Sequence, residues 1–218
     1  MTKLLTYTVF LFALGTFMAT ESVLAQSNSR LKSFQVHVGL PVSIQNESFK
    51  GVMQGLVTTS MHYQYTLKSG LSFGLGGNYT YFTINNFKIN EPILGGIQMP
   101  SGFFKLGYEK FYSQTFGIDI GIKGGYGLNI IKSEVGKSND LRTINSQSQG
   151  AYMEPMASVI LVGEESDAFK FHIGYVFNEF AFRPSRLGLI SEQGFPEDSF
   201  GTSNQYLTVG FAYVHYFN

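Results

Sequence analysis

The chain of 218 residues contains no cysteine and no tryptophan, and its charges balance, with 15 lysines plus arginines against 15 aspartates plus glutamates. Without cysteine it must be stable in an oxidising compartment without disulfides. Without a basic or acidic block, electrostatics gives no case for nucleic-acid binding. After the first 25 residues, no window is apolar enough for a transmembrane helix. Because the chain lacks tryptophan, any aromatic girdle at the membrane interface must be formed by tyrosine and phenylalanine.

Residues 1–25 have the three parts of a secretory signal peptide. Lys3 supplies the basic start, Leu4–Met18 is mostly apolar, and Val23–Ala25 supplies small residues before a cleavage point. An uncleaved anchor is the alternative, but the apolar stretch is short and interrupted by threonines. No cysteine follows it, which excludes a lipoprotein anchor. We predict a mature chain of one domain, residues 26–218.

Residues 34–45 alternate between large apolar side chains at even positions and polar residues, glycine or proline at odd positions. Because successive side chains of a strand point to opposite faces, one face of this strand is apolar and the other is polar and slender. Related patterns predict seven further strands, the sixth the least regular because residues 159–162 are apolar on both faces. These strands are at residues 57–68, 71–81, 103–110, 115–129, 151–162, 169–178 and 206–217.

The predicted connections alternate in length. Residues 68–70, 111–113 and 163–168 form short connections, residues 46–50 an intermediate one, and residues 82–102, 130–150 and 180–205 long ones. Outer-membrane barrels have short periplasmic turns and longer external loops. The sequence therefore predicts an all-β protein, an eight-stranded antiparallel up-and-down transmembrane β-barrel with both termini in the periplasm. A soluble lipocalin-like barrel, with the apolar face inside, is the alternative.

Two turns predict strand register. A turn centred on Ser69 places Tyr65 opposite Phe73, with both side chains outward. A turn centred on Tyr112 places Lys105 opposite Asp119, with both side chains inward.

Charged and imidazole side chains fall on the predicted inner face. Buried charges are costly unless they are paired, so we predict a salt-bridged polar core with a structural role. Glycines on the same face fit an interior that is packed and narrow. A proton or ion path along the charged groups is the functional alternative. The predicted network comprises Lys105, Glu109, Asp119, Lys123, Glu154, Lys170, His62 and His172.

The chain ends in the aromatic segment Tyr213-Val214-His215-Tyr216-Phe217, followed by Asn218. With the strand pattern of residues 34–218, it resembles the small eight-stranded outer-membrane barrels of the OmpA and OmpX type and the porin-like barrels of Bacteroidetes. The resemblance implies a location in the outer membrane, among its lipids and lipopolysaccharide. It also implies assembly by periplasmic chaperones and the barrel assembly machinery, with Tyr213 and Phe217 in the assembly signal. The family pattern usually ends on the aromatic residue itself.

Some barrels of this size modify lipid A with a histidine and a serine at the outer rim. Here no histidine lies in a His-x-Ser arrangement, and no two histidines have a short spacing suited to a metal ion. We therefore predict no catalytic residue, no metal site and no cofactor. The histidines are His37, His62, His172 and His215.

The long connections are where function is expected. The last one carries Arg183 and Arg186, which could hold lipopolysaccharide phosphates or fold the loop against acidic neighbours. Our leading hypothesis is a monomeric, non-enzymatic barrel whose external loops bind a partner or support envelope integrity. The alternatives are a narrow pore for small solutes and a lipid A-modifying enzyme.

Overall fold

Eight antiparallel strands follow one another around a closed barrel, in which β8 pairs with β1. The computed structural model describes residues 31–86, 93–136, 142–163, 166–188 and 201–217. The predicted fold, an eight-stranded up-and-down barrel, is confirmed. Its strands are β1 (Lys32–Ser43), β2 (Met53–Thr66), β3 (Leu71–Ile84), β4 (Ile93–Phe111), β5 (Phe116–Val135), β6 (Arg142–Val162), β7 (Asp167–Asn178) and β8 (Asn204–Phe217).

The two ends of the barrel differ. One end, here called the turn end, carries the short β2–β3, β4–β5 and β6–β7 connections together with the first residue of β1 and the last of β8. The other, the loop end, carries the four remaining connections. The predicted sorting of connections by length is therefore correct.

Within the described residues, the connections at the loop end contain two short helical segments. Helix α1 (Glu47–Val52) is capped by Asn46, whose side chain accepts a hydrogen bond from the Phe49 amide. A 3-10 segment (Pro184–Leu187) lies between β7 and β8. In the described part of the chain, no helix has the length and apolar character needed to cross a membrane.

The barrel has an apolar outside and a polar inside. Leu75 and Phe211 point outward with 70% and 68% of their surface exposed, whereas Lys105 and Lys170 point inward and are fully buried. A protein folded in water buries apolar side chains and leaves lysines exposed. The observed faces are therefore those of the predicted transmembrane barrel, with apolar side chains outside. The lipocalin-like alternative, with the apolar face inside, is wrong.

Three strands are longer than predicted by five residues or more. β4 begins at Ile93 instead of Phe103, β5 runs to Val135 instead of Asn129, and β6 begins at Arg142 instead of Ala151. Apart from Ile144 and Gly150, residues 142–150 are polar on both faces, so they lack the alternation that marks a strand, and only pairing with β5 reveals them as one. Much of the predicted long connections is therefore sheet. The other strand boundaries differ from the prediction by at most four residues.

One of the two predicted registers is wrong. Tyr65 lies opposite Phe73 as predicted. Lys105, however, lies opposite Lys123, and Asp119 lies opposite Glu109. The Ser113 hydroxyl accepts hydrogen bonds from the Thr115 and Phe116 amides, which extends the turn over residues 112–115 and moves its centre to Gln114.

The irregular end of β6 closes the turn end from inside. Val159 and Leu161 face outward, whereas Ile160 is fully buried. Residues 159–162 are apolar on both faces because one face contacts the surroundings and the other packs in a small core. This core, here called the turn-end cap, contains Ile160, Ala168, Val214 and Tyr216, with Phe111 and Val162 packed against it.

Candidate functional site: the barrel interior and the loop end

The first polar group of the interior is here called the Asp119 cluster and contains Lys105, Glu109, Asp119, Lys170 and Gln64. Lys105 Nζ lies 2.6 Å from Asp119 Oδ2, and Lys170 Nζ lies 2.7 Å from the same oxygen. Lys170 Nζ is also 2.9 Å from Glu109 Oε2. All four charged side chains are fully buried. Two cations therefore neutralise two anions, which is the condition under which buried charges are tolerated.

Gln64 joins the two halves of the Asp119 cluster. Its Oε1 accepts a hydrogen bond of 2.6 Å from Lys105, and its Nε2 donates one of 3.0 Å to Glu109. The Tyr216 hydroxyl of the turn-end cap donates to the other Glu109 oxygen at 3.3 Å. The network therefore links four strands and the turn-end cap, which makes it part of the packing of the barrel.

The second polar group, here called the Glu154 cluster, surrounds one carboxylate. Glu154 accepts hydrogen bonds from Lys123 at 3.1 Å, from Thr208 at 3.1 Å and from the Tyr152 hydroxyl. His172 Nε2 lies 3.2 Å from Glu154 Oε1, and His172 Nδ1 lies 3.2 Å from Ser158 Oγ. Lys123 and Glu154 balance each other, so this cluster is also neutral when His172 is neutral.

Glycines make room for these side chains. A Cβ on Gly174 would collide with Glu154 Oε1 and lie 2.7 Å from Thr208 Oγ1. A Cβ on Gly74 would lie 3.2 Å from His62 Cδ2, and one on Gly76 would collide with the His62 backbone. The inner face of β3 therefore forms a slot for His62, and that of β7 forms one for Glu154.

A third histidine, which the predicted network omitted, belongs to the interior. The His37 ring stacks on the His62 ring with centroids 5.2 Å apart and meets the His172 ring edge-on at the same distance. His37 and His62 are 5% and 1% exposed. Among the described residues, neither ring has a hydrogen-bond partner for either nitrogen. The alternation of residues 34–45 already placed His37 on the polar face of β1, and this signal could have included it.

A small cavity of about 20 Å³ lies beside these rings. Its lining includes His37, Lys123, Glu154, His172 and Thr208. Such a volume holds about one water molecule and is too small for an organic substrate.

The loop end is filled by a second apolar core, here called the loop-end core. Phe49 of α1 packs edge-on against Phe82 and Phe182 at centroid distances of 4.8 and 5.1 Å. Leu187 of the 3-10 segment is also buried, and its carbonyl accepts a hydrogen bond from the Ser133 hydroxyl. The other members are Val52, Met53, Ile84, Ile93, Ile97, Met99, Phe103, Ile131, Tyr152, Val176, Phe180 and Tyr206.

The two loop arginines differ in their surroundings. Arg183 is exposed at the start of the 3-10 segment. Arg186 is half-buried, with its guanidinium carbon 5.7 Å from the centroid of the Phe180 ring. A cation at this position stabilises the loop-end core through a cation–π contact. Arg183 is therefore the better placed of the two for an external anion.

The residues predicted for the assembly signal lie on the outer face of β8 at the turn end. Tyr213 and Phe217 are both 42% exposed. The Tyr213 hydroxyl donates to Asp167 Oδ1 at 2.7 Å, and His215 Nδ1 lies 2.7 Å from the same oxygen. The Phe217 ring contacts the rings of Tyr63 and His215. An outward aromatic rim of this kind is typical of a membrane interface.

At the loop end, β4, β5 and β6 extend beyond the end of β7. The last pair between β6 and β7 is Tyr152 with Asn178, and Glu179 adds one backbone bond to Ala151. Within the described ranges, residues 142–150 of β6 pair with β5 alone. Their exposed side chains are Arg142, Thr143, Asn145, Gln147 and Gln149. This edge of β6, here called the open edge because no described strand other than β5 pairs with it, is polar and carries one charge, that of Arg142.

The closed barrel, its apolar outer surface and its ionic interior define the architecture of an outer-membrane β-barrel. No group of three or more histidine, aspartate or glutamate side chains in the described part of the chain could hold a metal ion.

Comparison with solved structures gives the same architecture. A major outer-membrane protein from Thermus thermophilus superposes with a TM-score of 0.52 at 10% identity, over 85% of this chain and 99% of that one. Neisserial surface protein A gives a TM-score of 0.44 at 11% identity, over 85% and 97%. The attachment invasion locus protein of Yersinia pestis gives 0.41 at 9% identity, over 84% and 97%. No protein-family profile and no curated protein matches the chain.

Proposed function

We propose that the chain is an integral outer-membrane protein that neither conducts solutes nor catalyses a reaction, and that recognises a partner at the cell surface through its loop end. The observation that carries the proposal is the contrast between the two parts of the barrel. The interior is filled, while β4–β6 present an open polar edge beyond it.

The outer surface supports the membrane location. Its apolar side chains form a continuous belt that includes Val38, Leu40, Leu75, Phe104 and Phe211, each at least half exposed. Exposing this belt to water would forfeit about 25 cal/mol for each Å² of apolar surface, whereas lipid covers it. Lipids of the outer membrane, lipopolysaccharide among them, are therefore proposed to surround the belt.

The filled interior supports a barrel that does not conduct. The turn-end cap, the Asp119 and Glu154 clusters and the loop-end core follow one another along the barrel. An eight-stranded barrel is just wide enough for side chains to fill it. A solute would have to displace the turn-end cap, two ionic clusters and the loop-end core.

The hydrogen-bonded chain Ser158–His172–Glu154 has the residue types of a catalytic triad, and we propose a structural role for it. Ser158 is 4% exposed and lies in the packed interior. The carboxylate of Glu154 also binds Lys123, Tyr152 and Thr208. A nucleophile needs space beside it for the reacting carbon. The cavity that borders His172 and Glu154 is not lined by Ser158 and holds only about one water molecule.

The open edge of β6 supports partner recognition. An unpaired strand edge offers a row of backbone donors and acceptors to an extended peptide. Arg142 at one end and Glu179 near the other are exposed and of opposite charge. We propose that the partner strand carries an acidic side chain near Arg142 and a basic one near Glu179. Arg183 is proposed to contact lipopolysaccharide phosphates beside this site.

Recognition is tested with peptides displayed on phage and selected against the barrel in lipid nanodiscs. Enriched peptides are expected to bind the wild type and to lose binding to Gln147→Lys, because an added lysine protects a strand edge. The matched control is Gln98→Lys on β4, which is paired on both sides. Absence of enrichment, or equal loss in both variants, contradicts the proposal.

The closed interior is tested by planar-bilayer recording of the refolded protein. A stable baseline is expected. Discrete and reproducible conductance steps would favour the narrow pore.

A further inference from the structure

We propose that the stacked pair His37–His62 is an acid-sensitive lock, which holds the barrel interior packed while both rings are neutral and loosens it when either ring gains a proton. This inference is independent of partner recognition at β6. It rests on the position of the two rings, on the absence of hydrogen-bond partners for them among the described residues, and on the charge balance around them.

The charges of the interior are already matched. In the Asp119 cluster two lysines face two carboxylates, and in the Glu154 cluster Lys123 faces Glu154. Each acidic side chain of these clusters therefore has a cationic partner. A proton added to His37 or His62 introduces a positive charge that neither cluster has a spare anion to match.

The groups around the pair are mostly cationic. His37 on β1 faces His62 on β2, Lys123 on β5, Glu154 on β6 and both Lys170 and His172 on β7, while its neighbour on β8 is Ala212. His62 faces Lys105 on β4, Lys123 and Asp119 on β5 and Lys170 on β7, and on β3 it meets Gly76. The nearest carboxylates already bind lysines. An imidazolium here meets like charges and little solvent.

His172 differs from the other two interior histidines. Its two ring nitrogens lie 3.2 Å from Ser158 and from Glu154, so this ring has a polar partner on each side. The fourth histidine, His215, is partly exposed at the turn end and contacts Asp167. Both rings therefore have polar contacts. Among the described residues, His37 and His62 are the histidines whose ring nitrogens have no hydrogen-bond partner.

A proton can reach His37 through the cavity beside it. It borders Lys123, Glu154 and His172 as well as His37, and it has room for about one water molecule. Once a ring is charged, the low-energy response is hydration of this cavity and separation of the stacked rings. Water then reaches the Asp119 cluster and the Glu154 cluster, which lie on either side of the rings.

The sign of the effect follows from proton linkage. Histidines of the unfolded chain bind protons near pH 6.5. In the proposed lock the folded barrel holds His37 and His62 neutral, so the unfolded chain binds more protons below this pH and stability falls as the pH falls. Between pH 6.5 and 5.5, one such ring lowers the folding equilibrium constant about fivefold, and two lower it about thirtyfold.

The test is urea unfolding of the full barrel in phosphatidylcholine vesicles at pH 7.5, 6.5 and 5.5. We expect the folding equilibrium constant of the wild type to decrease as the pH falls. For the two rings together, the decrease between pH 6.5 and 5.5 is about thirtyfold. The side chains of His37→Phe and His62→Phe remain neutral, so each variant should reduce this loss, and the double variant should reduce it more than either single variant. His215→Phe, the matched control, should retain the loss of the wild type.

Two results would overturn the proposal. One is a wild-type folding equilibrium constant that does not change between pH 7.5 and 5.5, which can be measured without any variant. The other is a double or single phenylalanine variant that folds and keeps the full acid sensitivity of the wild type.

Discussion

The Nζ atom of Lys105 lies 2.6 Å from Asp119 Oδ2 although the two residues are not opposite each other in the sheet. Lys105 is opposite Lys123, and Asp119 is opposite Glu109. The contact therefore runs diagonally through the interior, which the long lysine side chain permits. It places two lysines on one aspartate oxygen, since Lys170 Nζ reaches the same atom.

Asp119→Asn should destabilise the barrel by about 3–5 kcal/mol, because it leaves one buried lysine charge without a matching anion. Urea unfolding in vesicles measures the change. Asp167→Asn, which changes a partly exposed carboxylate at the turn end, is the control and should have a much smaller effect. Adding Lys105→Met to Asp119→Asn restores the charge balance and should recover part of the loss. A double variant as unstable as the single one would refute the charge argument.

Gly174→Ala should destabilise by about 1–3 kcal/mol, because its methyl group must displace the Glu154 carboxylate and the Thr208 hydroxyl. Gly124→Ala is the matched control, since a Cβ there has no described heavy atom within 4 Å. The same unfolding experiment compares the two variants. Equal effects would mean that the interior slot for Glu154 is not tightly packed.

Phe182→Ala should cost about 3–5 kcal/mol, because it removes a fully buried ring from the loop-end core. The same variant should leave the bilayer conductance at baseline, because the turn-end cap and both ionic clusters still fill the interior. Unfolding and single-channel recording are made on one preparation. Conductance steps in this variant would show that the loop-end core alone keeps the barrel closed.

Phe211→Arg should destabilise the barrel in lipid by about 2–4 kcal/mol if the side chain lies near the bilayer midplane. Phe211 is in the middle of the outward belt, opposite Val38 and Phe171. Gln147→Arg, at the open edge of β6, should have little effect on stability. If Phe211→Arg were as stable as the wild type or more stable, the result would indicate that water, and not lipid, surrounds the belt.

The sequence specified the faces of the strands better than their lengths. Period-two alternation assigned Lys105, Asp119, Glu154 and Lys170 to the interior correctly, because a side chain's face depends only on its position in the strand. The register across residues 112–115 depended on hydrogen bonds of Ser113, which the pattern does not reveal. The loop-end part of β6 was missed because polar residues on both faces carry no alternation.

The sequence pattern did not predict the contacts between side chains across the barrel. The stacking of His37 on His62 joins neighbouring strands, but the approach of His172 on β7 requires the barrel to close. The six-residue helix α1 is too short to show a helical period, and its place in the loop-end core is set by Phe49.

Membrane fractionation combined with heat modifiability tests the central claim most directly. The full-length chain is expressed in a Gram-negative host, the outer membranes are isolated, and gel mobility is compared before and after boiling. Recovery in the outer membrane, with an unboiled band that migrates differently from the boiled one, is the predicted result. A freely soluble periplasmic protein whose mobility does not change on boiling would contradict the account.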